Sequence, residues 1–154
     1  GANSRGVEAT ATIAPSRRLT ISGRWTWLQT AVADTGVASS ATFEEGKPLI
    51  RRPASSGGVT ATWNQGGLRI VADVNHVGSR DDVDFANGAG VRVILPGYTT
   101  ADIALNLPVR RMTARSPGVE LTLRAENLFG SAFVQTVGFP GRGRTIRAGA
   151  RMPF

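Results

Sequence analysis

The sequence predicts an all-β chain of about seven antiparallel strands, and three observations carry that prediction. In the last ten residues, Ile146, Ala148, Ala150, Met152 and Phe154 alternate with Thr145, Arg147, Gly149, Arg151 and Pro153. A period of two is a strand with one apolar and one polar face. The same alternation recurs along the chain, in segments joined by connections that run short, long, short, long, short, long. No run of ~18 apolar residues occurs, so no helix is predicted to cross a membrane.

The first strand is read over residues 6–13, with Val7, Ala9, Ala11 and Ile13 on one face and Glu8, Thr10 and Thr12 on the other. A short turn through residues 15–18 follows. The second strand, residues 19–27, sets Leu19, Ile21, Trp25 and Trp27 against Thr20, Ser22, Arg24 and Thr26. A long polar connection, residues 30–49, leads to a third strand at 58–63. Asn64-Gln-Gly-Gly67 turns it tightly, because paired glycines accept dihedrals that other residues resist. In the fourth strand, residues 68–77, Leu68, Ile70, Ala72 and Val74 oppose Arg69, Asp73 and Asn75. After a second long connection at 79–97, the fifth strand (98–109) faces Ala101, Ile103, Leu105 and Leu107 one way and Asp102, Ala104 and Asn106 the other. A turn at 110–117 precedes the sixth, where Val119, Leu121, Leu123 and Ala125 alternate with Glu120, Thr122, Arg124 and Glu126. A loop at 129–141 leads into the terminal strand.

This pattern predicts a membrane sheet. The polar face carries full charges at mid-strand: Arg24, Arg69, Asp73, Glu120, Arg124 and Arg147. A soluble sandwich also has one apolar and one polar face per sheet. Short turns at one end and long loops at the other are the outer-membrane barrel pattern, with the long loops outside the cell. An aromatic at the end of the final strand points the same way, since soluble termini tend to be polar and frayed. Trp25, Trp27 and Tyr98 fall near long-loop ends, and Trp63 and Phe154 near short-turn ends. They are read as two membrane girdles, because amphipathic rings prefer headgroup depth.

Composition narrows the function classes. Nineteen Gly and eight Pro in 154 residues suit many short elements and turns. The absence of cysteine excludes disulfides and thiolate metal sites. No charged-then-apolar segment opens the chain, so Gly1 is not expected to be the start of an exported precursor. The formal charge is +7, with Lys47 the only lysine. The arginines are scattered, paired only at Arg17-Arg18, Arg51-Arg52 and Arg110-Arg111, without an interleaved aromatic stripe. They are read as polar-face and interfacial groups, and no nucleic-acid partner is expected.

Several short words carry a resemblance to a family. Arg5-Gly-Val-Glu8 and Arg51-Arg-Pro53 open strands; Val77-Gly-Ser-Arg-Asp81 ends one and Tyr98-Thr-Thr-Ala-Asp102 starts the next. Glu126-Asn-Leu-Phe-Gly130 is followed by Gly138-Phe-Pro-Gly-Arg-Gly-Arg144 and the strand ending at Phe154. In order and spacing, over essentially the whole chain, these words resemble the C-terminal part of TonB-dependent outer-membrane receptors, which import ferric siderophores, cobalamin and some sugars. The resemblance implies a portion of a barrel of about 22 strands, with the plug domain and the TonB-engaging segment absent from residues 1–154. It implies localisation in the cell outer membrane and active uptake of a scarce small-molecule ligand. Its partners would be outer-membrane lipid, the missing N-terminal barrel and plug portion and, through that portion, the TonB complex. Arg24, Arg69, Asp73, Glu120, Arg124 and Arg147 would face the plug or line the path. Phe154 would be read by the assembly machinery, Asn127 would make the strand-to-loop exit, and Leu128 and Phe129 would plug the upper rim. A passive or structural outer-membrane barrel segment, and a soluble β-sandwich binding module, remain the rival readings.

The other chemistry is thin. His76 is the sole histidine, so neither a catalytic triad nor a two-histidine metal site can be assembled; it reads as an interfacial residue. Asp81, Asp82, Asp84, Asn87 and Gly88 lack the closing Glu of a calcium loop. Glu44 and Glu45 read as solvated loop carboxylates. Gly141-Arg-Gly-Arg144 is followed by a strand, not by the helix a phosphate loop requires. No enzyme, cofactor or metal is expected.

Overall fold

The computed structural model describes residues 1–36, 40–109 and 118–152. In chain order the strands are β1 (Ala2–Ser16), β2 (Leu19–Val32), β3 (Ser55–Gln65), β4 (Leu68–Val77), β5 (Arg80–Asp84), β6 (Val91–Leu95), β7 (Tyr98–Val109), β8 (Val119–Glu126), β9 (Val134–Thr136), β10 (Phe139–Pro140) and β11 (Thr145–Arg151). Seven of them form one antiparallel sheet in the order β1-β2-β3-β4-β7-β8-β11. These are the seven strands the alternation predicts, and β4, β7 and β8 keep the predicted bounds.

The differences have local causes. β1 and β2 extend beyond 6–13 and 19–27 because their ladder continues through Asn3↔Ala31 and Ser4↔Thr30, where small and polar residues blur the period of two. Arg5-Gly-Val-Glu8 therefore lies inside β1 and does not open it. The connections expected to be plain loops contain hairpins: β5–β6 within 79–97 and β9–β10 within 129–141. Four of the five residues of β5 are charged, so no apolar alternation marks it.

Register builds the two faces. Ile13, Ile21, Ala61, Ala72, Ile103, Ala125 and Ile146 stand in one row across all seven strands. The neighbouring row on that face is Leu19, Trp63, Ile70, Leu105, Leu123 and Ala148. Between them, on the opposite face, run Thr20, Thr62, Val71, Ala104, Arg124 and Arg147. A one-residue slip would exchange the faces completely.

Among the described residues none covers the apolar face: Ile146 is 68% exposed and Leu123 46%. A sandwich needs a second packed sheet, and none is present among the described residues. The buried residues lie instead at the long-connection end, where Val32, Val83, Leu95, Ala101, Arg80, Asp82 and Asn127 cluster. β1 and β11 are the two free edges, so the sheet is an open piece of a barrel.

Candidate functional site

Two regions combine polar chemistry with defined geometry: the polar face of the sheet and the cap made by the long connections. On the polar face Arg24 Nη2 donates to Asn75 Oδ1 at 2.5 Å, and Asn75 Nδ2 donates to Asp73 Oδ1. Thr60 Oγ1 donates to Asp73 Oδ2 at 2.5 Å. This chain of bonds spans β2, β3 and β4, and its close approach depends on Gly58. A Cβ there would sit 2.8 Å from Asn75 Oδ1 and 2.9 Å from the Val74 carbonyl. On β8 and β11 one carboxylate serves several cations. Glu126 meets Arg124 and Arg147 at 3.0 Å each, and Arg142 at 3.7 Å. A depression of about 260 Å³ beside it is lined by Thr100, Asp102, Glu126, Asn127, Phe133 and Arg142.

The cap is centred on Asp82, which is fully buried. Its Oδ1 accepts from Arg51 Nε and from the Val83 N–H, both at 2.9 Å, and its Oδ2 accepts from the Val137 N–H at 2.8 Å. One carboxylate thus ties together the connection before β3, the β5–β6 hairpin and the connection before β11. Burial pushes the Asp82 carboxyl up, but the two N–H donors and the Arg51 guanidinium outweigh it and hold its pKa below the ordinary value. Arg51 takes a left-handed backbone conformation (φ 59°) and donates its own N–H to the Asp81 carbonyl at 2.7 Å. Around this centre Arg80 Nη2 bonds the carbonyls of Val134 and Gln135 at 2.7 Å. Arg92 pairs with Asp81 at 2.7 Å and also bonds the carbonyls of Ala41 and Pro48.

Asn127 closes β8 as its sequence position suggests. Its φ is 50°, and its side chain bonds Ser131 and the Arg142 carbonyl, joining both ends of the last long connection. Its own N–H donates to Asp102 Oδ1 at 2.8 Å. Leu128 is half-buried, whereas Phe129, expected to plug the rim with it, is 79% exposed.

The predicted lumen residues Arg24, Arg69, Asp73, Glu120, Arg124 and Arg147 all share the polar face by register. Trp25 and Trp27 stand on the apolar face toward the long connections, and Trp63 stands on it toward the short turns. Trp25 stacks on His76 across β3, with ring centroids 6.2 Å apart. Gly57 leaves the space for that: a Cβ there would lie 2.5 Å from the indole.

Tyr98 is a correction. Paired with Val77, it shares the face of Thr100 and Asp102, and it does not stand with the tryptophans. Its ring stacks on Phe133 at 4.1 Å, under the Arg80 guanidinium, so proximity to a strand end was a poor guide to its face. Phe154 lies outside the described residues, as does the turn at 110–117.

Sequence reasoning missed the cap. It weighed Asp81, Asp82 and Asp84 only against a calcium loop, which they do not match, whereas Asp81 and Asp82 pair with Arg92 and Arg51 and Asp84 accepts from the Ala86 N–H. The available clue was the near-matched charge of the long connections, which read as ion pairs once their ends converge.

Comparison with known proteins places these features. A family described as "TonB dependent receptor-like, beta-barrel" matches residues 1–128. No curated protein matches the chain. Among solved structures, the pyoverdine outer-membrane receptor FpvA of Pseudomonas aeruginosa PAO1, bound to pyoverdine, superposes with a TM-score of 0.72 at 14% identity, over 99% of this chain and 22% of that one. The ferric-catecholate import receptor Fiu of E. coli K12 gives 0.70 at 18% identity, over 97% and 20%. BauA, the ferric preacinetobactin receptor of Acinetobacter baumannii, gives 0.70 at 19%, over 97% and 22%. The chain spans about a fifth of the length of these receptors. It belongs to the TonB-dependent receptor-like β-barrel family, a transporter and receptor family of the cell outer membrane.

Proposed function

We propose that this chain is the C-terminal part of the barrel wall of a TonB-dependent receptor that takes up a scarce small-molecule ligand, such as a ferric siderophore or cobalamin, across the outer membrane. The observation that carries the reading is the asymmetry of the sheet. One face is apolar and uncovered, the other is hydrogen-bonded and charged, and all three long connections gather at one end above the polar face. In this reading the apolar face meets lipid, and Arg24, Arg69, Asp73, Glu120, Arg124 and Arg147 face the lumen and the plug. The cap faces outside, and the depression between Asp102, Glu126, Phe133 and Arg142 is the part of this wall best furnished to touch a ligand. Trp25, Trp27 and Trp63 form the girdles, and Phe154 serves assembly. The plug, the rest of the barrel and the TonB complex complete the transporter.

The test follows from the free edges. In hydrocarbon each unpaired backbone group costs several kcal/mol, so the 154 residues expressed alone should aggregate or be degraded. Co-expression with the complementary part of a receptor should restore a protease-resistant, outer-membrane product. A folded, monodisperse monomer of this chain in plain buffer would overturn the reading and revive the soluble-module alternative. A complete barrel that conducts passively and supports no energy-dependent uptake would favour the passive-barrel alternative.

A further inference from the structure

We propose that the short-turn end of the sheet docks anionic phospholipid headgroups, with Arg17 and Arg18 as their principal ligands. The excess positive charge of the chain is distributed unevenly along the strand axis. The β1–β2 turn is Arg17-Arg18 and the β3–β4 turn is Gly66-Gly67. Neither turn contains an Asp or Glu. Two of the long connections instead mix acids with bases: Asp34, Glu44 and Glu45 accompany Lys47, Arg51 and Arg52 in the first, and acids outnumber arginines in the second. Arginines and carboxylates along the polar face of the strands are matched in number. Among the described residues the two short turns therefore carry two cations and no acid, whereas the three long connections carry seven cations against six acids.

The local geometry suits a membrane surface. Arg17 and Arg18 are exposed, and neither meets a carboxylate among the described residues. The Asn64 N–H donates to the Arg18 carbonyl at 2.8 Å, which joins the β1–β2 and β3–β4 turns at the level of Trp63. Trp63 is paired with Leu19 on the apolar face. That face runs unbroken down to Leu19, Trp63 and Leu68, so the arginines are the first charges beyond the hydrocarbon. An indole at headgroup depth, with guanidinium groups just outside it, matches an anionic lipid surface in both polarity and sign. Arginine also suits the ligand, because its planar fork can bind phosphate oxygens in pairs.

The inference rests on the apolar face lying in lipid, and its test separates the two. The complete barrel containing this chain is reconstituted in phosphatidylcholine vesicles holding dibrominated phosphatidylglycerol, and tryptophan quenching is compared with that by dibrominated phosphatidylcholine. A Trp25→Phe/Trp27→Phe form leaves Trp63 as this chain's reporter at the short-turn end, with tryptophans elsewhere in the barrel also replaced by Phe. Trp63 should report phosphatidylglycerol enrichment of several-fold to about tenfold, given the attraction of each basic group to an anionic surface and its screening by salt. Arg17→Glu/Arg18→Glu should abolish the enrichment. Arg52→Glu/Arg144→Glu, an equal charge change at the other end, should leave it intact. Equal quenching by both lipids, or equal loss with either double variant, overturns the proposal. No quenching of Trp63 by either lipid overturns the membrane placement itself. If the Arg17/Arg18 variant does not refold, a salt titration of the Trp63 form decides: selectivity that survives molar salt excludes the arginines as its cause.

Discussion

Replacing Asp82 tests whether the cap is a single cooperative unit. Asp82→Ala strands the Val83 and Val137 N–H groups in a buried site. Each unpaired donor costs about 1–3 kcal/mol. Arg51 also loses its carboxylate, but its side chain is 51% exposed, so that loss is worth only about 0–1 kcal/mol after solvent screening. The sum is about 2–7 kcal/mol against cap opening, or a factor from roughly 30 to about 10⁵. Asp82→Asn keeps the volume but replaces one acceptor with a donor, and should cost about 2 kcal/mol. Native-state hydrogen exchange of the complete barrel reads this directly. The Val137 and Arg51 amides should lose protection by that factor, while amides of the β3–β4 ladder keep theirs. Acid should act similarly. Because the folded-state pKa of Asp82 is depressed, its contribution is present above the unfolded carboxylate value of about 4 and is lost as pH falls through the lower folded value. Wild-type cap protection, corrected for intrinsic exchange, should therefore fall only below about pH 4, and Asp82→Ala should lack that step. Protection lost evenly over sheet and cap, or not at all, would refute the idea of a carboxylate-centred cap.

Two further outcomes follow from the faces and the glycines. Leu121→Arg places a cation on the apolar face toward the short-turn end. Measured by folding into lipid, it should cost about 1–2 kcal/mol, because the penalty falls from about 2–4 kcal/mol at mid-bilayer toward the interface, whereas Thr122→Arg on the polar face should cost less. Leu105→Arg against Ala104→Arg should rank the same way, its gap narrowed because Ala104 is paired with Arg124 and a second arginine there meets a like charge. Either pair ranking in reverse would mean that the faces are exchanged. Gly57→Ala should cost about 1–3 kcal/mol through overpacking and push Trp25 off His76, seen as a shift in tryptophan emission, because the added methyl would sit 2.5 Å from the indole and 2.7 Å from the Arg24 carbonyl. An unshifted emission would mean that the stack is not what fills that space.

The sheet was legible because a period of two survives wherever one face is apolar. Leu68 to Val77 and Tyr98 to Val109 could be bounded to the residue for that reason. Legibility faded where the period did. The outer ends of β1 and β2 are small and polar on both faces, and the charged β5 is held by Arg51, Arg92 and a hairpin ladder, contacts between residues far apart in sequence. Tyr98 shows a related limit: nearness to a strand end fixes its depth, but its face follows from the parity it shares with Thr100 and Asp102. Asn127 was readable because its job is local, a left-handed exit with bonds to nearby backbone.

The direction of the two free edges limits what can complete this sheet. β1 and β11 both descend from the long connections to the short turns, as the ends of any odd run of antiparallel strands must. A second copy placed upright beside the first could offer only parallel junctions. Inverting it would restore antiparallel pairing but would put its cap on the wrong side of the membrane. A complement that seals both edges with antiparallel ladders must therefore begin and end with ascending strands and bring an odd number of them. A receptor of about 22 strands meets that arithmetic, with about 15 left after these seven. Copies of this seven-strand piece alone do not, so the parity of the fold calls for an odd set of further strands beside it.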